Sequence, residues 1–162
     1  MNNKVFLAGT FRAISLPAAA TIFPAMLIEA VAGGVQPHST AGGFAEKMVA
    51  VEDALQGGTI QGYWGLGQPA GNGPTGYTVA GLLGFGPDMV QINIMQSGNL
   101  VNMILLAGYN YTVGLKLISD GAGHLKPTTG SPSQIIATIP FGYGVNLSAS
   151  GAVNTINPVR FL

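Results

Sequence analysis

Residues 99–128, NLVNMILLAGYNYTVGLKLISDGAGHLKPT, decide how the rest of the chain is read. They contain an apolar strand at 100–107 and a Gly/Tyr/Asn connection. A second strand at 114–119, a tight turn on Asp120-Gly121-Ala122-Gly123 and a short strand at 124–126 follow, and Pro127 ends the unit. Asp-Gly between two strands is a strong local hairpin signal, because glycine adopts positive φ without steric cost. In the first strand Val101, Met103 and Leu105 share one face and Ile104 and Leu106 the other, which predicts a strand covered on both sides.

The unit occurs twice. With a constant offset, residues 11–40 lie over 101–130. Ile14 falls on Ile104, Leu16 on Leu106, Leu27 on Leu117, Ile28 on Ile118, Val35 on Leu125, Ala32-Gly33 on Ala122-Gly123 and Pro37 on Pro127. After a two-residue shift, Val49-Ala50-Val51 lies on Ala137-Thr138-Ile139. Turn and breaker residues coincide along with apolar ones, which is more specific than a shared β composition. Two copies are too few for a solenoid, which needs roughly three or more. The expected fold is therefore all-β: a compact barrel or sandwich of short antiparallel strands with an internal pseudo-repeat at about 11–40 and 101–130. An N-terminal arm (1–10) precedes a single β domain (11–162), which carries a Gly/Pro-rich loop insertion at 59–76.

Along the chain, further strands are expected at 11–16, 25–30, 47–51, 78–85, 89–96 and 135–141, and over the apolar end 155–162. Val90, Ile92 and Ile94 alternate with Gln91 and Asn93, and Ser97-Gly98-Asn99 is expected to turn that strand into a hairpin with the one at 100–107.

Charged residues make up only 7% of the 162 residues, and the formal net charge is zero. A free monomer normally uses charge to stay soluble, so much of this surface is expected to be covered by other protein. Lys4, Arg12, Lys47, Lys116, Lys126 and Arg160 are scattered in sequence and form no basic run, which argues against a nucleic-acid partner. The apolar run at 13–35 is broken by Pro17, Pro24 and Glu29, so it does not make a membrane-spanning helix.

No constellation for chemistry stands out. The absence of cysteine removes thiolate metal sites and cysteine nucleophiles. His38 and His124, the two histidines, lack metal-ligand spacing and read as satisfied turn or surface residues. Glu52 and Asp53 are neighbours that point to opposite faces of a strand. Residues 120–123 lack the spaced oxygen ligands of a Ca²⁺ loop, and Gly65-Leu66-Gly67 lacks the strand–turn–helix context of a dinucleotide fingerprint. No catalytic, cofactor or metal residue is assigned. The candidate contact residues are aromatic or apolar: Phe6, Phe11, Tyr63, Trp64, Leu66, Tyr109 and Tyr111. Trp64 is the only tryptophan and lies in the loop insertion, where it reads either as an interface anchor or as folded back on its own core.

Several stretches together resemble the small capsid decoration (cement, head-stabilising) proteins of tailed bacteriophages. These are VEDALQGGTI at 51–60, DMVQI at 88–92, LLAGYN at 105–110, LISDGAGHLK at 117–126 and the closing VRFL at 159–162. The insertion and the low charge depart from that pattern. The resemblance implies a non-enzymatic virion protein, made in the host bacterial cytoplasm, that binds the outside of the assembled major capsid protein. It also implies a symmetric homo-oligomer, with a trimer favoured, that stabilises the shell. The alternative is a carbohydrate- or cell-surface-binding module on the virion, with Tyr63, Trp64, Tyr109 and Tyr111 stacking on sugars.

Overall fold

The computed structural model describes residues 5–51, 89–128, 131–132 and 134–162. The insertion at 59–76 and the strand expected at 78–85 lie outside them. Among the described residues every regular element is a strand. In chain order these are β1 (Phe6–Ala8), β2 (Phe11–Pro17), β3 (Leu27–Val31), β4 (Gly34–Pro37), β5 (Met48–Ala50), β6 (Met89–Met95), β7 (Leu100–Leu105), β8 (Asn110–Tyr111), β9 (Lys116–Ser119), β10 (Leu125–Pro127), β11 (Ala137–Thr138), β12 (Val145–Asn146) and β13 (Thr155–Phe161).

The all-β expectation holds, and the repeat has a topological meaning. One sheet runs β2-β6-β5-β3-β4, and a parallel bridge from Ala18 to Val35 brings its last strand back to its first. The other runs β7-β10-β9-β11-β13, and β13 closes on β7. Substituting β7 for β2, β9 for β3, β10 for β4, β11 for β5 and β13 for β6 turns one cyclic order into the other. The chain therefore forms two five-stranded barrel-like units of the same topology, which gives the expected pseudo-repeat its structural form. Each closes through a parallel contact: Ala18 with Val35 in the first unit, Leu105 with Leu125 in the second.

The structural offset is 89 in three of these strand pairs, rather than the 90 expected for β2 with β7 and β3 with β9 and the 88 expected for β5 with β11. Ile28 faces Met48 in the first unit, as Leu117 faces Ala137 in the second. Ile28 and Met48 belong to the first core, and Leu117 and Ala137 to the second. Ile14 on β2 likewise packs on the first core, whereas Met103 on β7 lies in the second. A one-residue slip exchanges the two faces of a strand. The extra residue sits in the second hairpin, where Ser119 pairs with Leu125, against Ala30 with Val35 in the first.

The first core gathers Ile22, Ile28, Val35, Met48, Val90 and Ile92. The second contains Val101, Met103, Leu105, Leu117, Val159 and Phe161, and it also takes in Leu27, Val49 and Met95 from the outward face of the first unit. Ile104 packs against both cores, so β7 is covered on both sides as its composition predicts. One edge of β7 is satisfied by β13. Along the other edge its amides, and that of Leu106 just past its end, donate to three separate segments: Asn102 N to Val5 O, Ile104 N to Ala25 O and Leu106 N to Leu125 O.

One expectation is corrected here. β6 makes no hairpin with β7, because β2 and β5 occupy its edges. At the crossing between the units the Gly98 amide donates to Phe161 O, and the buried Asn99 side chain pairs with the main chain of Thr10, accepting from its N–H at 3.1 Å and donating to its carbonyl. The segment expected as an arm at 1–10 is tied in over its described part: Val5 is buried and β1 pairs with β7.

Candidate interaction surface

The aromatic residues singled out in the sequence fall at two places. Phe6 and Phe11 meet with their rings tilted 57° and centroids 4.4 Å apart, and Phe11 is exposed. Phe6 pairs beside the start of β7, whereas Tyr109 and Tyr111 lie beyond its end. Tyr109 and Tyr111 meet edge to face at 6.3 Å. Tyr111 is not a surface residue: its ring is buried in the second core, and its hydroxyl lies 2.7 Å from Leu106 O and 3.2 Å from Leu125 O. Burial raises its phenol well above the ordinary tyrosine range, so it stays a neutral donor. A buried ring cannot stack on a sugar, which removes Tyr111 from the glycan reading and from the contact set. Tyr63, Trp64 and Leu66 lie outside the described residues.

A patch not picked out from sequence stands at one end of the second unit. Phe141 is 91% exposed at the tip of a turn in which Tyr143 N donates to Pro140 O. Val113 is at the tip of a second turn, closed by Leu115 N on Thr112 O. The β8–β12 ribbon pairs Tyr111 with Val145 and so brings the two turns together. Tyr143 is also exposed, and its carbonyl accepts from the Asn157 side chain at 2.9 Å. An exposed apolar group held on a braced turn costs hydration in the free chain and gains when covered. The strand expected at 135–141 would run through this turn. In the structure β11 ends at Thr138, and Pro140 and Gly142 on either side of Phe141 were the available signal.

The polar groupings near the turns are structural. His38 is buried where the two units meet, with Nε2 2.9 Å from Phe44 O and Nδ1 2.7 Å from Ser119 Oγ. A carbonyl only accepts, so Nε2 donates to Phe44 O, and Nδ1 shares its hydrogen bond with the Ser119 hydroxyl. Ser119 Oγ in turn accepts from Gly121 N. Glu29 is 3.8 Å from His38 Nε2, which completes a Ser–His–Glu set. Ser119, however, is fully buried and cannot present its hydroxyl to a substrate. Glu29 accepts from Ser39 and Gln36.

Asp120 caps the second hairpin: Oδ1 accepts from Ala122 N at 2.8 Å and His124 N at 2.9 Å, and Oδ2 accepts from His124 Nδ1 at 2.8 Å. Burial alone would raise its carboxyl pKa, but these hydrogen bonds outweigh it and hold the pKa below the ordinary value. A carboxylate with a depressed folded-state pKa contributes stability that is complete above the unfolded pKa and lost as pH falls through the folded one. The urea midpoint of the wild type should therefore fall below about pH 4. In Asp120→Asn it should start lower and fall less steeply, with a residual slope from Glu29, whose pKa is also lowered. Identical pH profiles for the two proteins would contradict this.

No protein-family model matches the chain, and no curated protein matches it. Among solved structures the chain is similar to the N base of head fiber gp8.5 in bacteriophage phi29, with a TM-score of 0.56 and 12% identity, covering 94% of this chain and 95% of that one. The likeness is one of fold, and it extends over nearly the full length of both chains.

Proposed function

We propose that this chain is a structural virion protein that binds the outside of an assembled capsid as a symmetric homo-oligomer and stabilises the shell. The observation that carries this reading is the end-to-end likeness of fold to a phage head fiber base. The sparse charge and the apolar Val113–Phe141–Tyr143 tip agree with a surface made to be covered. Each contact can be weak, because many linked copies on a lattice add avidity. In this reading the chain transforms no molecule.

Capsids prepared without the protein should open at a lower temperature, and adding it back should raise that temperature. Phe141→Ser should leave the chain's own stability within about 0.5 kcal/mol, since the side chain is 91% exposed. The same variant should weaken restoration of the capsid. Capsids that open at the same temperature with and without the wild-type chain would overturn the reading.

A further inference from the structure

Three of the chain's six cations, far apart in sequence, share one outer face of the second unit. Thr138 on β11 pairs with Lys116 on β9 on one side and with Arg160 on β13 on the other. Opposed residues of an antiparallel ladder point to the same face, so Lys116, Thr138 and Arg160 form one row, with its ends about 10 Å apart. Leu117, Ala137, Val159 and Phe161 beside them are buried in the core, which fixes the row as outward-facing. Thr128 extends the row past Lys116, to whose carbonyl its amide donates. Lys126 pairs with Ile118, one diagonal step from Lys116. None of the three cations makes an ion pair with a described residue. Asp120, the nearest acid in sequence, is already engaged by His124 and two amides.

We infer that this face docks on an acidic protein surface, with Lys116 and Arg160 meeting carboxylates about 10 Å apart and Lys126 at the flank. In a chain with so few charges, three like charges on one face with no opposing partner among the described residues repel one another in the free state, and an acidic partner relieves that repulsion. Duplex DNA is the poorer match. Three cations release few counterions, and a chain of zero net charge is not drawn to a polyanion at long range. The inference rests on the capsid reading only for the partner's identity: there, the acidic surface belongs to the shell.

Two measurements test it. In co-sedimentation with capsids, the concentration of Lys116→Glu/Arg160→Glu needed for half-saturation should rise roughly tenfold, and added salt should weaken the wild type. Arg12→Glu, on the first unit, should change little. Unchanged binding by the double variant would overturn the inference while leaving the capsid reading intact. The second measurement needs no capsid. In NMR titrations at low salt, poly-L-glutamate should shift the amides of Lys116, Lys126, Thr138 and Arg160, and the double variant should abolish those shifts. Absence of the shifts, or tighter binding to a short DNA duplex, would overturn it.

Discussion

Replacing Gly34 by alanine should destabilise the chain by about 3 kcal/mol, most of it from steric conflict at the closure of the first unit. A Cβ at this position would lie 2.1 Å from Pro17 O and 2.8 Å from the carbon of the same carbonyl. Both are main-chain atoms, so no side chain can turn aside. The backbone there also has φ of +154°, which side chains other than hydrogen rarely tolerate. To admit the methyl group, β4 must move away from the end of β2. That breaks the Ala18–Val35 bridge and the hydrogen bond from Ala19 N to Val35 O at 2.7 Å. Gly33→Ala, next in the chain, is the control: its φ is +91° but no atom lies within 4 Å of the new Cβ. It should cost only the backbone strain, about 1 kcal/mol. Chemical denaturation of the two variants checks the difference. Equal losses would mean that the first unit does not close as described.

Phe161→Ala should cost about 4 kcal/mol, against almost nothing for Phe141→Ala. The two side chains are the extremes of exposure among the phenylalanines of the second unit: Phe161 is fully buried and Phe141 is 91% exposed. Phe161 also holds three segments together. It pairs with Ala137, its amide donates to Asn99 O, and its carbonyl accepts from Gly98 N. Truncation leaves a cavity where β13 meets β11 and the crossing between the units, and the rigid ladder around it can collapse only in part. Urea unfolding at matched pH measures both variants. A Phe161→Ala loss below about 1.5 kcal/mol would show that the C-terminal strand is not part of the core.

Local chemistry made much of the fold legible. The doubly apolar strand at 100–107, the Asp-Gly turn and the apolar end at 155–162 all stand where the pattern put them, as β7, the β9–β10 turn and β13. The repeat was legible as a set of elements but not in its register. Leu27-Ile28 and Leu117-Ile118 are both apolar pairs, so composition cannot say which member faces its own barrel. The pairing of β3 with β5 and of β9 with β11 decides it. The hairpin expected at Ser97-Gly98-Asn99 failed for a non-local reason. Its loop has the right residues, but Thr10 and Phe161 take its polar groups, and β2 and β5 take the strand that would have paired. Parallel closure is likewise invisible to alternation, since it joins segments that no short turn connects.

The surface was less legible than the core, and the reason is the same. Tyr111 reads as an exposed aromatic in a Gly/Asn-rich connection, yet the turn folds its ring inward to reach Leu106 O and Leu125 O. Lys116, Thr138 and Arg160 are scattered along the chain and become neighbours only through the β9-β11-β13 ladder.

An electron cryomicroscopy reconstruction of capsids incubated with the chain shows whether, and where, the chain binds the shell. Density for the paired barrels is expected at symmetry-related positions on the outside of the shell, with the Lys116–Arg160 face turned toward it. Bare capsids at saturating concentrations of the chain, or density confined to the interior, would contradict the capsid reading.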